Sequence, residues 1–279
     1  MKRVAFDLCA AGFCTHPEIV TMKNASFKSC EFPSLFGLIQ HPQEGFILFD
    51  TGYHPDYNIK KRWPESIYPL FIPASISESQ TAAQQIKARG FHPDNVKWVI
   101  ISHFHGDHIA GLNDFKKAKF LCRRAAFEQV HNKSPFRNLL NGFLPQLLPQ
   151  DFLKRVEWID DRSAWRSAKM YNLEFSAVDL FGDESLIAID LPGHKNGQVG
   201  LFLQSEKAGS CLMIGDASWS LKAIKELRPP SKLAGLILDN SKEYLSTFLK
   251  LNQLLRTQPE ITVLPSHCRE SYKAFGEKT

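Results

Sequence analysis

An apolar run, Val96–Ser102, leads straight into His103-Phe104-His105-Gly106-Asp107-His108, so three of the chain's ten histidines and one aspartate fall within six residues. This string constrains the fold more than any other feature, because a strand ending this way must end where other ligand-bearing loops can meet it. His103 and His105 stand two apart and project to the same side of an extended chain. Asp107 and His108 fall on the turn into a short helix expected over Ile109–Phe115, where they face a second point. Neutral imidazoles suit zinc and similar borderline metals, and a carboxylate adds charge compensation. Four ligand-type residues in two geometries point to two adjacent metals, since one tetrahedral ion would not use all four and stay open to substrate.

Further ligands should then follow later strands, and three such places exist. His194 comes in Leu191-Pro192-Gly193-His194, just after the run Leu186–Leu191. Asp216 comes in Ile214-Gly215-Asp216, after Cys211–Ile214. His267 comes in Leu264-Pro265-Ser266-His267, after Ile261–Leu264. Each is an apolar strand, a Gly or Pro turn, and then a side chain that can hold a metal.

The rest of the chain reads as alternating strands and helices. Val4–Cys9 is expected to be a first strand rather than part of a signal peptide, because Asp7 interrupts the apolar stretch and no small-residue cleavage site follows cleanly. Leu35–Gln40 and Phe46–Phe49 read as paired strands around the turn Gln43-Glu44-Gly45. Ser79–Arg89 has helical spacing and stops at Gly90. Ala118–Cys122, Val156–Ile159, Leu173–Val178, Val199–Leu203 and Leu236–Leu238 are further strand candidates, and Lys242–Leu255 is an amphipathic helix. Arg123–Val156 is apolar at helical spacing but carries Pro135, Pro145 and Pro149, and reads as a helical insertion in a single domain spanning residues 1–279. Two similar halves of strands and helices suit an α/β fold of the αβ/βα type: two mixed sheets packed face to face with helices outside, in four layers.

Composition narrows the function classes. The 34 Lys+Arg against 29 Asp+Glu give a net charge of +5 without a block of five like charges, which points away from nucleic acid and anionic membranes. No apolar run approaches the ~18 residues of a membrane span. The six cysteines (Cys9, Cys14, Cys30, Cys122, Cys211, Cys268) are scattered, with no C-x-x-C pair, as expected of reduced thiols in a cytoplasmic protein. His16, His41, His92 and His131 have no partners in sequence and are expected to be structural or surface residues.

The pattern H-x-H-x-D-H, then a separate His, an Asp and a final His, resembles the metallo-β-lactamase superfamily, and Asp50-Thr51-Gly52 after Phe46–Phe49 matches that family's D-T-G turn. The resemblance implies the αβ/βα fold and a dinuclear site of two divalent ions, zinc first, with manganese or iron as alternatives. It implies that His103, His105 and His194 hold the first metal, that Asp107, His108 and His267 hold the second, and that Asp216 bridges them. Asp50 would then orient the site from behind, as ligating imidazoles commonly require. Within the superfamily, Asp50-Thr51-Gly52, Ser102–Gly111, Pro192-Gly193-His194 and Gly215-Asp216-Ala217-Ser218 look most like the N-acyl-homoserine lactonases and related lactonases. Those enzymes carry a Tyr three residues after the bridging Asp, in contact with the substrate carbonyl; this chain has Trp219 there, whose indole N–H can donate but is not an acid.

The expected activity is therefore hydrolysis of a lactone or similar carboxylic ester, by a water shared between two metals. Asp107 would ligate and also carry a proton to the leaving alkoxide, and Trp219 would assist as donor to the carbonyl oxygen. Alternatives from the same superfamily are a thioesterase resembling glyoxalase II and a phosphodiesterase. The first would want basic residues in a C-terminal helical segment, where Arg269 and Lys273 alone precede the final Lys278; the second would want a basic RNA-binding arm. The partner is expected to be a small molecule, with a homodimer left open. Tyr53 and His54 are candidates for lining the entrance. Lys195 either pairs with an acidic substrate group or is a solvated surface residue. The segments Pro64–Pro73 and Phe136–Phe152 are either ordinary core or an apolar wall for an acyl or aromatic group.

Overall fold

In the computed structural model, which describes residues 1–59, 63–64, 67–231 and 237–276, the strands are laid out nearly in chain order. Strand β1 (Arg3–Pro17) pairs antiparallel with β2 (Ser29–His41), and β2 with β3 (Gly45–Phe49). A short β4 (Ala74–Ser75) joins the far end of β1, while β5 (Val96–Ile100), β6 (Lys119–Cys122) and β7 (Val156–Trp158) add in parallel beyond β3. In the second half, β8 (Arg166–Ser167), β9 (Ser176–Asp179), β10 (Leu186–Asp190), β11 (Val199–Ser205) and β12 (Gly209–Met213) form an antiparallel run, closed by β13 (Thr262–Leu264) parallel to β12. The halves are stitched together where Arg3 and Val4 of β1 run parallel to Gln204 and Ser205 of β11.

The side-chain period of two sorts the apolar residues into layers. Ile47 and Phe49 of β3, Leu186 and Ala188 of β10, and Cys211 and Met213 of β12 all enter the core between the two sheets. Their neighbours Leu48, Ile187, Ile189 and Leu212 face outward, the first under the helix Ala82–Ala88 and the others under the helix Ser241–Thr257. That long helix starts at Asn240, whose side-chain oxygen accepts from the backbone N–H groups of Lys242 and Glu243. It presents Tyr244, Phe248, Leu251 and Leu254 to the sheet at helical spacing. The result is helices, sheet, sheet, helices: the four layers expected from the sequence.

Several boundaries differ from those expected. The first strand runs to Pro17 rather than Cys9, because the register shift between Ala10 and Phe13, with Gly12 at φ +70°, is a bulge inside the strand and not its end. The helix expected over Ile109–Phe115 lies earlier, at Gly106–Ile109, followed by a single tight turn at Leu112–Asp114. Leu173–Val178 is strand only from Ser176, because Asn172 in the left-handed region ends a helical turn just before it. Arg123–Val156 is broken at its prolines into short helices, Arg124–Val130, Pro135–Leu140 and Phe152–Arg155. Of the candidate strand Leu236–Leu238, Leu236 lies outside the described residues, and Ile237 and Leu238 are not strand.

Candidate metal centre

The ends of β5, β10, β12 and β13 all open onto one face of the molecule, and each is followed by site residues. After β5 the backbone stays extended through His105 and then turns into Gly106–Ile109, so His103 and His105 precede the helix while Asp107 and His108 ride on it. The D-T-G turn clamps that helix from beneath: the Thr51 N–H and hydroxyl both donate to the His108 carbonyl, and the Thr51 hydroxyl accepts from the Gly111 N–H. After β10, Pro192-Gly193 passes so close to the long helix that a Cβ on Gly193 would lie 2.1 Å from the Tyr244 nitrogen. With φ at +121°, only glycine suits that approach. The Asp239 and Asn240 N–H groups then donate to the His194 and Gly193 carbonyls, fixing where His194 stands.

Seven side chains meet here in two groups, His103, His105, His194 and Asp216 on one side and Asp107, His108 and His267 on the other; within each group the candidate ligand atoms lie within 4.8 Å of one another. Asp216 reaches both. Its Oδ2 stands 3.4 Å from His194 Nε2 and 4.0 Å from His103 Nε2, and its Oδ1 stands 3.3 Å from His108 Nε2 and 3.2 Å from His267 Nε2. Asp107 Oδ2 faces His267 Nε2 at 3.2 Å and His108 Nε2 at 3.6 Å.

At three of the five imidazoles the outward nitrogen, Nδ1, is held by the protein, which turns Nε2 inward. Asp50 is fully buried and accepts from the Ser102 N–H, the Ser102 hydroxyl and His108 Nδ1, at 2.8, 2.7 and 2.7 Å. The Ser102 hydroxyl also accepts from His103 Nδ1 at 3.0 Å, and the Pro33 carbonyl accepts from His267 Nδ1 at 2.8 Å. Among the described residues, His103 Nε2, His108 Nε2 and Asp216 Oδ1 are buried and have no hydrogen-bond partner. Buried polar atoms in this state are rare. Five imidazoles and two carboxylates aimed at two adjacent points are suited to a dinuclear metal site.

Electrostatics divide the histidines in the same way. Burial drives His103 and His105 well below the usual imidazole range and His194 down to about 4, so all three imidazoles are neutral at neutral pH, the form that can ligate a metal. Burial acts downward on His108 and His267 too, but it is outweighed, at His108 by Asp107, Asp50 and Asp216 and at His267 by Asp216 and Asp107, and both are held well above the usual range. In the metal-free protein these two carry protons that a cation must displace. Metal uptake at neutral pH should therefore release about two protons, and affinity should fall as the pH is lowered. Calorimetric titration with zinc in buffers of different ionisation enthalpy measures that number; release of none would contradict it.

The remaining candidates fall elsewhere. Trp219, expected to serve as donor to a substrate carbonyl, is at the site, and its indole N–H donates to Asp216 Oδ2 at 2.9 Å. Lys195 is neither a solvated surface residue nor free for a substrate; it is 6% exposed and pairs with Asp239 at 3.0 Å, because the docking of residues 239–240 on the His194 loop brings that carboxylate over it. His54 caps the turn Pro55–Asn58 and faces Asp56 and Asp114, with no contact to the cluster, so the expected place at the entrance is not seen. Tyr53 is buried, edge-on to Tyr57, with its hydroxyl engaged with Cys14. His16 stacks on Phe32, His41 bonds Ser185, His92 caps a turn and His131 stacks on Phe127, all structural roles. Two elements escaped the sequence reading: Ser102, which bonds both Asp50 and His103, and the loop at Gly142. The Gly142 carbonyl accepts from the Gly106 N–H, and a Cβ there would lie 2.8 Å from the ring of His105. The polar end of an otherwise apolar strand was the one available sign for Ser102.

Comparison with known proteins agrees with this geometry. A family model described as the metallo-beta-lactamase superfamily matches residues 31–267. The N-acyl homoserine lactonase AttM of Rhizobium radiobacter is 26% identical over 261 residues, covering 92% of this chain and 89% of its own. The N-acyl homoserine lactonase AiiB of Agrobacterium fabrum is 24% identical over 238 residues, 84% of this chain and 79% of its own. Among solved structures, a Bacillus thuringiensis AiiA variant with N-decanoyl-L-homoserine bound at its active site superposes with a TM-score of 0.74 at 18% identity, covering 98% of this chain and 97% of that one. AidC, a dizinc quorum-quenching lactonase in complex with N-hexanoyl-homoserine product, gives 0.62 at 15% identity, covering 96% and 90%. These structural likenesses are likenesses of fold.

Proposed function

The chain belongs to the metallo-beta-lactamase superfamily, and from that premise we propose that it is a dinuclear metal-dependent hydrolase that opens a lactone of the N-acyl-homoserine type. The observation that carries this reading is Asp216, with one oxygen turned to each ligand group, and it is supported by the sequence likeness to an N-acyl homoserine lactonase. His103, His105 and His194 would hold one ion and Asp107, His108 and His267 the other, with zinc the metal that the imidazole-rich set favours over manganese or iron. Bound there, two divalent ions supply the Lewis acidity that brings the pKa of a water near neutrality.

The protein's own groups do the rest. Asp50, Ser102 and the Pro33 carbonyl hold three imidazoles in the tautomer that turns Nε2 inward. Trp219 fixes one oxygen of Asp216. Asp107, 14% exposed where Asp216 is 4%, would take the proton of the attacking water on its Oδ2 and pass it to the ring oxygen. One C–O bond forms, the ring C–O bond breaks, and the leaving alkoxide stays attached, so the product is a hydroxy acid. Leu70, Phe71, Phe136 and Leu140 are exposed on the two segments that meet at Tyr68 and Gly142 beside His105, and they offer apolar surface to an acyl chain. Phe143, Leu144, Leu147 and Phe152 of the same insertion are ordinary core. Six unpaired cysteines fit a reducing, cytoplasmic setting.

The test is a substrate panel on the zinc-loaded protein: acyl-homoserine lactones, thioesters, phosphodiesters and β-lactams. Turnover of lactones to hydroxy acids is expected. Activity confined to phosphodiesters would overturn the reading.

A further inference from the structure

The imidazoles of the two ligand groups are not held alike. His103, His108 and His267 are each gripped from behind at Nδ1, by Ser102, Asp50 and the Pro33 carbonyl. His194 is different. Its Nδ1 is buried and, among the described residues, has no hydrogen-bond partner. Its Nε2 faces inward, 3.2 Å from His105 Nδ1 and 3.4 Å from Asp216 Oδ2. The ring stands edge-on to that of Trp219, with centroids 5.7 Å apart. Among the described residues no hydrogen bond holds this ring from behind, so its place is set by the chain that carries it.

That chain is pinned residue by residue to the start of the helix Ser241–Thr257. The Thr247 hydroxyl donates to the Pro192 carbonyl at 2.8 Å, the Asn240 N–H to the Gly193 carbonyl at 3.1 Å and the Asp239 N–H to the His194 carbonyl at 3.1 Å. The Asp239 carboxylate continues the row. Its Oδ1 accepts from Lys195 Nζ at 3.0 Å, and its Oδ2 accepts from the Asn196 N–H at 2.8 Å and from Gln129 Nε2 at 2.7 Å. One residue thus engages His194, Lys195 and Asn196 in succession and ties them to the helix Arg124–Val130. The ion pair is largely shielded, with side chains 8% exposed at Lys195 and 21% at Asp239, so it is held more firmly than a surface pair. Gln129 and Lys195 also line one small internal gap together with His103 and His105, which sets this junction directly against the first ligand group.

We propose that Asp239 is a positioning residue for one of the two metals: its carboxylate locks the loop Pro192–Asn196 so that His194 completes the group formed with His103, His105 and Asp216. This rests on the two-metal reading above. Asp239 touches neither the ligand atoms nor the space between them; it acts through the loop. Without its charge, the Asn196 N–H and Gln129 Nε2 lose their acceptor, and a buried Lys195 ammonium is left unpaired. An unpaired buried charge is costly, and Lys195 regains water only by moving outward with the chain that carries His194. The second group is insulated from that movement. Asp107 and His108 stand on the helix after β5 and His267 follows β13, and none of the three is bonded to Asp239. The loss of Asp239 should therefore weaken one ion and spare the other.

The test compares the full chain with its Asp239→Asn variant, which keeps the shape and removes the charge. Competition with a chelator gives the two zinc dissociation constants of each protein, and anomalous difference maps from crystals at limiting zinc assign them to the two positions. Affinity at the position among His103, His105 and His194 should fall about 10- to 100-fold, with the other position unchanged. Gln129→Ala, which removes a single donor and leaves the ion pair, keeps the test open should Asp239→Asn not fold; it should weaken the same position about 3- to 10-fold. An equal fall at both positions would make Asp239 a general support of the fold and overturn its role at one metal. No change at either position, or a fall confined to the position among Asp107, His108 and His267, would overturn it as well, while leaving the two-metal reading standing. A wild type that binds no zinc would overturn that reading and the role of Asp239 with it.

Discussion

Asp216→Asn should leave a folded protein that binds one zinc or none and loses about 10³-fold or more in kcat/KM. Each oxygen of Asp216 serves a different ligand group, 3.4 Å from His194 on one side and 3.2 Å from His267 on the other. Asparagine keeps the shape but presents an N–H₂ to one group and removes the charge from both. Several kcal/mol of charge stabilisation rest on paired ions, and each 1.36 kcal/mol is a factor of ten in rate. A second consequence follows for the metal-free protein. Asp216 contributes to the upward shift of both His108 and His267, so both should titrate lower in the variant, and fewer protons should be released on zinc binding. Metal analysis with steady-state kinetics checks the main effect; two retained zinc ions with undiminished turnover would contradict it.

Asp50→Ala should cost about 3–5 kcal/mol of stability in the metal-free protein. Asp50 is fully buried, and its removal strands the Ser102 N–H, the Ser102 hydroxyl and His108 Nδ1 at once. One of these belongs to an imidazole that Asp107, Asp50 and Asp216 together hold protonated, so the loss includes one of its three carboxylate partners. For a domain of this size the midpoint of thermal unfolding should fall by roughly 10 °C. Zinc affinity should fall as well, about 10- to 100-fold, because His108 is no longer turned inward. Chemical denaturation and competition with a chelator measure the two effects. A change below about 1 kcal/mol with wild-type zinc affinity would show that Asp50 does not orient the site.

The contrast between the ligand set and residues such as Lys195 and Trp219 explains what could be read from the sequence. His103, His105, Asp107, His108, His194, Asp216 and His267 each follow an apolar run, directly or after a turn, and strand ends on one side of a sheet must converge. Their meeting is a consequence of topology, which periodicity carries. The layers were legible for the same reason, since alternation in β3, β10 and β12 assigns each side chain to a face. The role of Lys195 was not legible, because its partner Asp239 arrives through a docking between a loop and a helix start forty-four residues away. The commitment of the Trp219 indole to Asp216 depends on a rotamer. Backbone periodicity encodes where strands end; it does not encode which side chain fills the space left by another.

The central claim is a pair of cations sharing Asp216, and an anomalous difference map collected at the zinc edge from crystals grown with zinc tests it most directly. Two peaks are expected, one among His103, His105 and His194 and one among Asp107, His108 and His267, with a different oxygen of Asp216 against each. A single peak, or none among these seven side chains, would contradict it.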